Sequence, residues 1–200
     1  MFSIIIPTFN NIDYLKLCIK SLKKNSKYNH ELIFHVNEGS DGSLEFIRNN
    51  GYKFSYSIKN EGVCVAFNEG VKQATNEFLV LAHDDMYFCP NWDHFFNEEL
   101  KKIQVNDFFL SGTMVQPFES YINLDCGKNN IEFDEKKLLS KLPNIYFNDF
   151  QGTHWQPSLI PLETWNKVGG FSEEFSPGLG SDPDFNMKLW MIGVRLFKGL

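Results

Sequence analysis

Short apolar runs alternate with helical stripes along the first half of the chain, and this alternation constrains the fold more than any other feature. Runs rich in β-branched and aromatic side chains predict buried strands at Ser3–Ile6, Leu32–Val36, Tyr52–Ile58 and Phe78–Ala82. The first strand is expected to end at Pro7. Between the runs, apolar residues at helical spacing predict helices marked by Leu15–Leu22, Val63–Ala74 and Trp92–Ile103. Strands and helices that alternate in this way predict an α/β fold with a mostly parallel central sheet flanked by helices.

The second half of the chain is less regular. Further strands are predicted at Phe108–Val115, Ser158–Leu162 and Val194–Phe197, a short helix within Ile131–Leu142, and a longer helix at Asp182–Ile192. No repeat, low-complexity stretch or Gly/Ser linker divides the sequence, so we expect one domain over residues 1–200.

Composition excludes several classes of protein. The chain is 42% hydrophobic and 22% charged, and no apolar run reaches the roughly 20 residues of a transmembrane helix. A net charge of −6 argues against a nucleic acid as partner. The N-terminus does not look like a signal peptide, and four scattered cysteines form neither a zinc motif nor a disulfide framework. We therefore expect a cytoplasmic protein without a membrane span, and peripheral attachment to the inner membrane face stays open.

Polar residues follow three of the predicted strands, in the segments Pro7–Asn10, Asn37–Asp41 and His83–Asp85. Turn chemistry alone explains any one of these segments. Ligands of parallel sheets, however, gather at the carboxyl ends of the strands, so the shared placement favours a site. Asp84 and Asp85 are the most informative pair, because adjacent carboxylates repel each other unless a cation such as Mg²⁺ lies nearby. We expect His83 to be a surface group rather than a ligand.

Several segments match, in order, the motifs of one enzyme family. They are Ser3–Asn10, Asn37–Ser43, Asn60–Gly62 with Asn68–Gly70, Ala82–Asp85, Val168–Glu173 and Ser181–Asp184. The succession resembles family 2 glycosyltransferases, which share the GT-A fold and are mostly inverting. In that family, the corresponding motifs are an opening strand, an acidic turn, a helix opening, an Asp-x-Asp-Asp metal motif, and Gly-Gly-Phe-Asp-Glu and Glu-Asp segments. The chain departs from the pattern at Glu38, where an aspartate is usual, at Ala82, where the first acid of the metal motif often stands, and at Ser181, where a glutamate is usual.

The resemblance implies a role for each matching residue. The implied nucleotide-binding set is Pro7, Thr8, Asn10, Glu38, Asn60, Gly62 and Asp84, with Thr8 and Glu38 on the base and Asp84 on the ribose. Asp85 would bind Mn²⁺ or Mg²⁺, and Asp182 would be the general base. His154, Trp155 and Ser181 would face the acceptor or the donor sugar. The implied reaction moves a sugar, most often from a UDP-sugar, to a hydroxyl of a glycan, lipid-linked or other acceptor in glycan or polysaccharide biosynthesis.

The same resemblance divides the domain into a nucleotide-binding half, residues 1–105, and an acceptor-side half, residues 106–200. Many family members continue beyond the strand at Val194–Phe197 to a histidine that completes the metal site, so we expect the second half to be truncated.

Other interpretations stay open at this point. Asp182 precedes Pro183 and a helical stripe, which is typical of a helix N-cap, although Ser181 could cap instead. A nucleotidyltransferase or a non-catalytic sugar-nucleotide binding module would also use paired aspartates. The first would normally carry a Gly-rich basic loop after the first strand. A dinucleotide oxidoreductase is disfavoured, since no Gly-x-Gly-x-x-Gly follows that strand.

Overall fold

The computed structural model describes residues 1–118, 122–146, 148–152 and 156–200. The strands are β1 (Phe2–Phe9), β2 (Glu31–Asn37), β3 (Lys53–Ser57), β4 (Phe78–Leu81), β5 (Phe108–Ser111), β6 (Val115–Gln116), β7 (Ile122–Asn123), β8 (Phe150–Gln151), β9 (Ser158–Pro161) and β10 (Leu196–Gly199). The helices are α1 (Ile12–Asn25), α2 (Ser43–Asn49), α3 (Gly62–Val71), α4 (Trp92–Leu100), α5 (Glu135–Lys141), α6 (Leu162–Val168) and α7 (Ser181–Met191).

Eight strands form one sheet in the order β3-β2-β1-β4-β9-β5-β10-β8, and β6 and β7 form a separate parallel pair. Strand β9 runs antiparallel to both β4 and β5, and β8 runs antiparallel to β10. The remaining pairs in the large sheet are parallel. The predicted α/β class with a mostly parallel sheet is therefore confirmed, and the strand directions place the carboxyl ends of β1, β2 and β4 at one edge.

Helices cover both faces of the sheet, and the alternation of side chains along the strands supplies a core to each face. In β1, Ile4 and Ile6 pack on the face covered by α1, α2 and α4, whereas Ile5 packs on the opposite face with α3, α6 and α7. Strand β2 repeats the pattern with Phe34 on the first face and Ile33 on the second. Central strands buried on both faces are expected to be continuous apolar runs, as these are.

The first strand does not end at Pro7, as the sequence predicted, but continues to Phe9. Pairing with β4 stops at Ile5, whose carbonyl accepts from the N–H of Ala82. Backbone groups of alternate residues face the same neighbour, so Pro7 faces the side on which β4 has already ended. The missing N–H of Pro7 therefore removes no hydrogen bond from the ladder, and the proline is tolerated within the strand.

Other differences concern short elements. Helices α2 and α6 were not predicted, because each is only seven residues long and shows too little of a helical stripe. The predicted strand Phe108–Val115 ends at Ser111, and Val115 belongs instead to β6. All four cysteines are free thiols. Within the described ranges, no helix is long and apolar enough to cross a membrane.

Candidate active site

The ends of β1 and β2 form one wall of the site. Asn10 and Glu38, the residues that follow the two strands, both have left-handed backbone conformations, with φ of 46° and 61°. The amide of Asn10 donates to Glu38 Oε1 at 3.2 Å, and the Ser40 hydroxyl donates to the same oxygen at 2.9 Å. Left-handed conformation is uncommon for a glutamate and costs roughly 1–3 kcal/mol, a strain that clusters at ligand sites. The buried Oδ1 of Asn10 has no hydrogen-bond partner among the described residues.

The acidic turn after β2 is held by Asp41 rather than by Glu38. Asp41 Oδ2 accepts from the backbone N–H of Ile12 at 2.7 Å, and Oδ1 accepts from the N–H and hydroxyl of Ser43. Burial acts to raise the pKa of Asp41, but these hydrogen bonds outweigh it and hold the pKa below its usual value. Asp41 therefore joins the start of α1 to the start of α2.

Asp84 is supported by residues that follow β1. The Thr8 hydroxyl donates to Asp84 Oδ2 at 2.6 Å, and the Asn11 amide donates to Oδ1 at 3.1 Å. Thr8 itself is only 2% exposed. Burial raises the pKa of Asp84 above its usual value, and the charge of Asp85 acts in the same direction, although the two hydrogen bonds oppose this. The ionised form of Asp84 is therefore disfavoured in this environment, and a nearby cation would stabilise it.

Asp85 is exposed and lines a cavity of about 1100 Å³. In the part of the chain that the structure describes, no lysine or arginine forms an ion pair with Asp84 or Asp85, and no three His, Cys, Asp or Glu side chains gather as a complete metal site. Mg²⁺ and Mn²⁺ commonly bind through one or two carboxylates, with phosphate oxygens and water as the other ligands. Two neighbouring carboxylates without a cationic partner fit that donor set.

The start of α3 packs against the loop before α7. Asn60 Oδ1 accepts from the N–H of Gly62 at 3.0 Å, which turns the chain into the helix. Gly62 has φ of +86°, and a Cβ at this position would lie 2.7 Å from Pro177 Cα. The N–H of Val63 donates to the carbonyl of Pro177 at 3.0 Å. Gly62, a predicted nucleotide-binding residue, therefore packs directly against the segment that leads to Asp182, and Asn60 is joined to Gly62 by its hydrogen bond.

Asp182 is not a helix cap, and the capping interpretation of the sequence is wrong for Ser181 as well. Helix α7 begins at Ser181, its N-cap position is Gly180, and no side chain caps it. The Ser181 hydroxyl instead donates back to the carbonyl of Gly178 at 2.7 Å. The carboxylate of Asp182 is half-buried, and its Oδ1 accepts from the Gln156 amide at 3.0 Å. Asp182 is thus oriented by a side chain from another element.

Sequence reasoning missed Gln156 and misplaced His83. Gln156 is 5% exposed, and its Oε1 lies 3.3 Å from His83 Nε2. His83 was expected at the surface, but it is half-buried and its ring packs edge-on against Phe67 at 5.8 Å. Antiparallel pairing of Ser158 with Leu81 brings the start of β9 beside the end of β4, which explains the contact. No local pattern could have revealed this pairing, since the two segments are far apart in sequence.

Of the residues expected to face the acceptor or the donor sugar, Ser181 lies at the start of α7, whereas His154 and Trp155 lie outside the described residues. The cavity beside Asp85 also has Gln156 in its lining, together with apolar side chains such as Met86, Trp92 and Phe96. Its volume is in the range of ligand pockets or slightly above it.

A mostly parallel α/β sheet flanked by helices in this arrangement matches the fold of the GT-A glycosyltransferases. The sequence model described as "Glycosyl transferase family 2" matches residues 3–156. This chain belongs to glycosyltransferase family 2, which confirms the resemblance found in its motifs.

Similar proteins support the family and the fold. An uncharacterised glycosyltransferase of Rickettsia prowazekii is 30% identical over 175 residues, which cover 86% of this chain and 53% of the relative. The chain thus spans about half the length of the curated relatives it matches first. Residues 1–349 of TarS from S. aureus superpose with a TM-score of 0.72 at 18% identity, covering 100% of this chain and 57% of those TarS residues. The Pyrobaculum calidifontis mannosyltransferase PcManGT gives 0.65 at 16% identity, covering 100% and 56%.

Proposed function

We propose that this chain transfers a sugar from a nucleoside diphosphate sugar, with UDP as the expected nucleotide, to an acceptor hydroxyl with inversion at the anomeric carbon. One observation carries the proposal. A chain of two side-chain contacts leads from His83, the residue before the aspartate pair, through Gln156 to Asp182. The carboxylates proposed for the diphosphate side and the carboxylate proposed for the acceptor side therefore belong to one connected site.

The donor is proposed to lie across the ends of β1, β2 and β4. The carboxylate of Glu38 is proposed to accept from the N–H group of a base, and a uracil has one such group in its ring. Asn60 and Gly62 border the same region through the start of α3. Asp84, fixed by Thr8 and Asn11, is proposed to reach the ribose. TarS has been crystallised with UDP and with UDP-GlcNAc, and PcManGT with GDP-Man and Mn²⁺, which supports this class of donor.

Asp85 is proposed to hold Mn²⁺ or Mg²⁺, with Asp84 beside it. When bound, such a cation supplies positive charge that offsets the charge of the diphosphate. The chain's own contribution is to present two carboxylates where few other charges compete. The net charge of −6 makes a local cation more necessary, because a diphosphate would otherwise be repelled.

Asp182 is proposed to act as the general base. The acceptor oxygen forms a bond to the anomeric carbon while the bond from that carbon to the diphosphate oxygen breaks. The acceptor proton passes to the Asp182 carboxylate, and the nucleoside diphosphate leaves with the electron pair. The cavity beside Asp85 is proposed to admit the acceptor, since its lining includes Gln156, which contacts Asp182. As predicted from the sequence, the acceptor is a glycan, lipid-linked or other hydroxyl compound, and the expected location is the cytoplasm or the inner membrane face.

Asp182→Asn tests the catalytic role. Asparagine keeps the shape of the side chain and can still accept from Gln156, so the melting temperature and UDP affinity should stay unchanged. Transfer should fall by roughly 10²-fold or more, because general-base assistance typically contributes 10²–10⁴-fold. Transfer is measured as nucleotide release from a panel of nucleoside diphosphate sugars, with and without mixed oligosaccharide and lipid-linked acceptors.

The matched control is Asp184→Asn, which removes the same charge from the same first turn of α7. Asp184→Asn should retain transfer. Equal losses in both variants would assign the effect to helix electrostatics, and unchanged transfer in Asp182→Asn would eliminate Asp182 as the base. A thermal-shift panel of nucleoside diphosphates with Mn²⁺ and with EDTA separates a transferase from a nucleotidyltransferase, since the second would prefer triphosphates.

A further inference from the structure

Gln156 bridges two elements of the site that are remote in sequence. One end of its amide contacts Asp182 at the start of α7, and the other end contacts His83 beyond β4. Its side chain is almost fully buried, at 5% exposure, so neither contact is readily exchanged for water. A buried amide with both ends engaged has one strongly preferred orientation.

Chemistry determines which end of the amide faces which partner. An ionised carboxylate can only accept hydrogen bonds, so the NH₂ group of Gln156 must face Asp182. The carbonyl Oε1 then faces His83, and a favourable contact there requires a proton on His83 Nε2. The reverse orientation would set the Gln156 carbonyl against the Asp182 carboxylate. The Asp182 carboxylate therefore sets the orientation of the amide, and His83 with a proton on Nε2 holds the carbonyl end in place.

This arrangement distinguishes the two oxygens of Asp182. Oδ1 accepts from Gln156, whereas Oδ2 accepts no hydrogen bond from any described residue. The occupied oxygen has a lone pair engaged and is the weaker base. Oδ2 is therefore the oxygen better able to take a proton, and rotation of the carboxylate away from this position would break the contact with Gln156.

We propose that Gln156 is a positioning residue. It holds Asp182 through a hydrogen bond to Oδ1, so that Oδ2 faces the acceptor hydroxyl. The N–H of His83 in turn holds the carbonyl of Gln156. The proposal rests on the proposed role of Asp182 as the base. It extends that role by naming the reacting oxygen and a connection from the end of β4 to the base. A displacement of about 1 Å at a reacting group can cost 10²-fold in rate, so such a clamp has a measurable effect.

The test uses two variants of Gln156, alone and combined with Asp182→Asn. Gln156→Ala removes the amide, and Gln156→Glu keeps the shape but replaces the donor with a second carboxylate. Each single variant should lower kcat for transfer by about 10- to 100-fold and leave KM for the donor within about twofold. In the Asp182→Asn background, Gln156→Ala should cause no further loss, because its effect is exerted through the carboxylate.

An independent readout is the side-chain amide NMR signal of Gln156, assigned by its disappearance in Gln156→Glu. It should shift in Asp182→Asn, which replaces the charged acceptor of its N–H group by a neutral one, and in His83→Ala, which removes the other partner, and this result does not depend on turnover. An unshifted signal would overturn the bridge itself. Equal losses from Gln156→Ala in both backgrounds, or a loss confined to KM, would overturn positioning. Unchanged transfer in Asp182→Asn alone would instead refute the proposed base, whatever the NMR signal shows.

Discussion

Gly62→Ala tests the packing that joins the nucleotide side of the site to the segment before Asp182. Gly62 has φ of +86°, a backbone conformation that costs an L-residue about 1–2 kcal/mol. The added Cβ would also lie 2.7 Å from Pro177 Cα and 3.0 Å from Ser176 Cβ. Pro177 Cα belongs to the backbone, so this clash cannot be relieved by rotating a flexible side chain. Overpacking of this kind typically adds 1–3 kcal/mol.

The matched control is Gly51→Ala. Gly51 has φ of +69°, and nothing lies within 4 Å of a Cβ built there. This variant should cost only the conformational 1–2 kcal/mol, or about 2–8 °C in melting temperature, since 1 kcal/mol corresponds to about 2–4 °C in a chain of this size. Gly62→Ala should cost about 2–5 kcal/mol, the sum of the two effects. The difference between the two variants isolates the contact with Pro177.

Function should separate the two variants further. To accept a Cβ at Gly62, the loop at Ser176 and Pro177 must move, and Gly178 in that loop accepts from Ser181 next to Asp182. Transfer by Gly62→Ala should therefore fall by up to about 10²-fold at a temperature where the protein is folded, whereas Gly51→Ala should keep its rate. Urea unfolding gives the free energies, and nucleotide release gives the rates. If Gly62→Ala is as stable and as active as Gly51→Ala, the close approach of the two segments is wrong.

Two further predictions concern the metal and pH. Asp85→Asn should abolish the enhancement of UDP affinity by Mn²⁺, measured by calorimetry. The control Asp13→Asn removes an exposed carboxylate from the first turn of α1 and should retain the enhancement. Equal affinity of the unsubstituted protein for UDP in Mn²⁺ and in EDTA would refute the metal site. Burial lowers the pKa of His30 and His35 below the ordinary value of 6.5, although hydrogen bonds and nearby carboxylates act against it. As the pH falls, these two histidines take up protons in the unfolded chain before they do so in the folded chain. The free energy of unfolding should therefore be constant above pH 6.5 and fall as the pH drops from 6.5 toward the folded pKa values. His30→Gln with His35→Gln should flatten that fall, and an unchanged pH profile of the melting temperature would contradict the assignment.

The sequence by itself determined the class of fold and predicted that the donor lies at the carboxyl ends of the strands. Apolar runs ended by Asn, Asp and Gly residues encode strands and the turns that follow them, because both depend on local conformational preferences. Once strands and helices alternate, parallel pairing brings the ends of β1, β2 and β4 to one edge. The aspartate pair could therefore be assigned to a site before any coordinates were known. The family motifs then supplied a role for Asp182 that its local sequence, typical of a helix cap, did not favour.

Only the tertiary structure decided what surrounds Asp182. Helix α7 begins at Ser181, after the N-cap residue Gly180, and has no side-chain cap. This start depends on contacts of the preceding loop, which approaches α3 through Gly62. That Gln156 reaches both His83 and Asp182 depends on β9 being inserted antiparallel between β4 and β5. Periodicity and turn chemistry specify each element from its own residues, whereas the choice of neighbouring strand depends on the free energy of the whole packed sheet. For this reason a lone histidine and a lone glutamine carried no signal in the sequence and yet meet at the centre of the site.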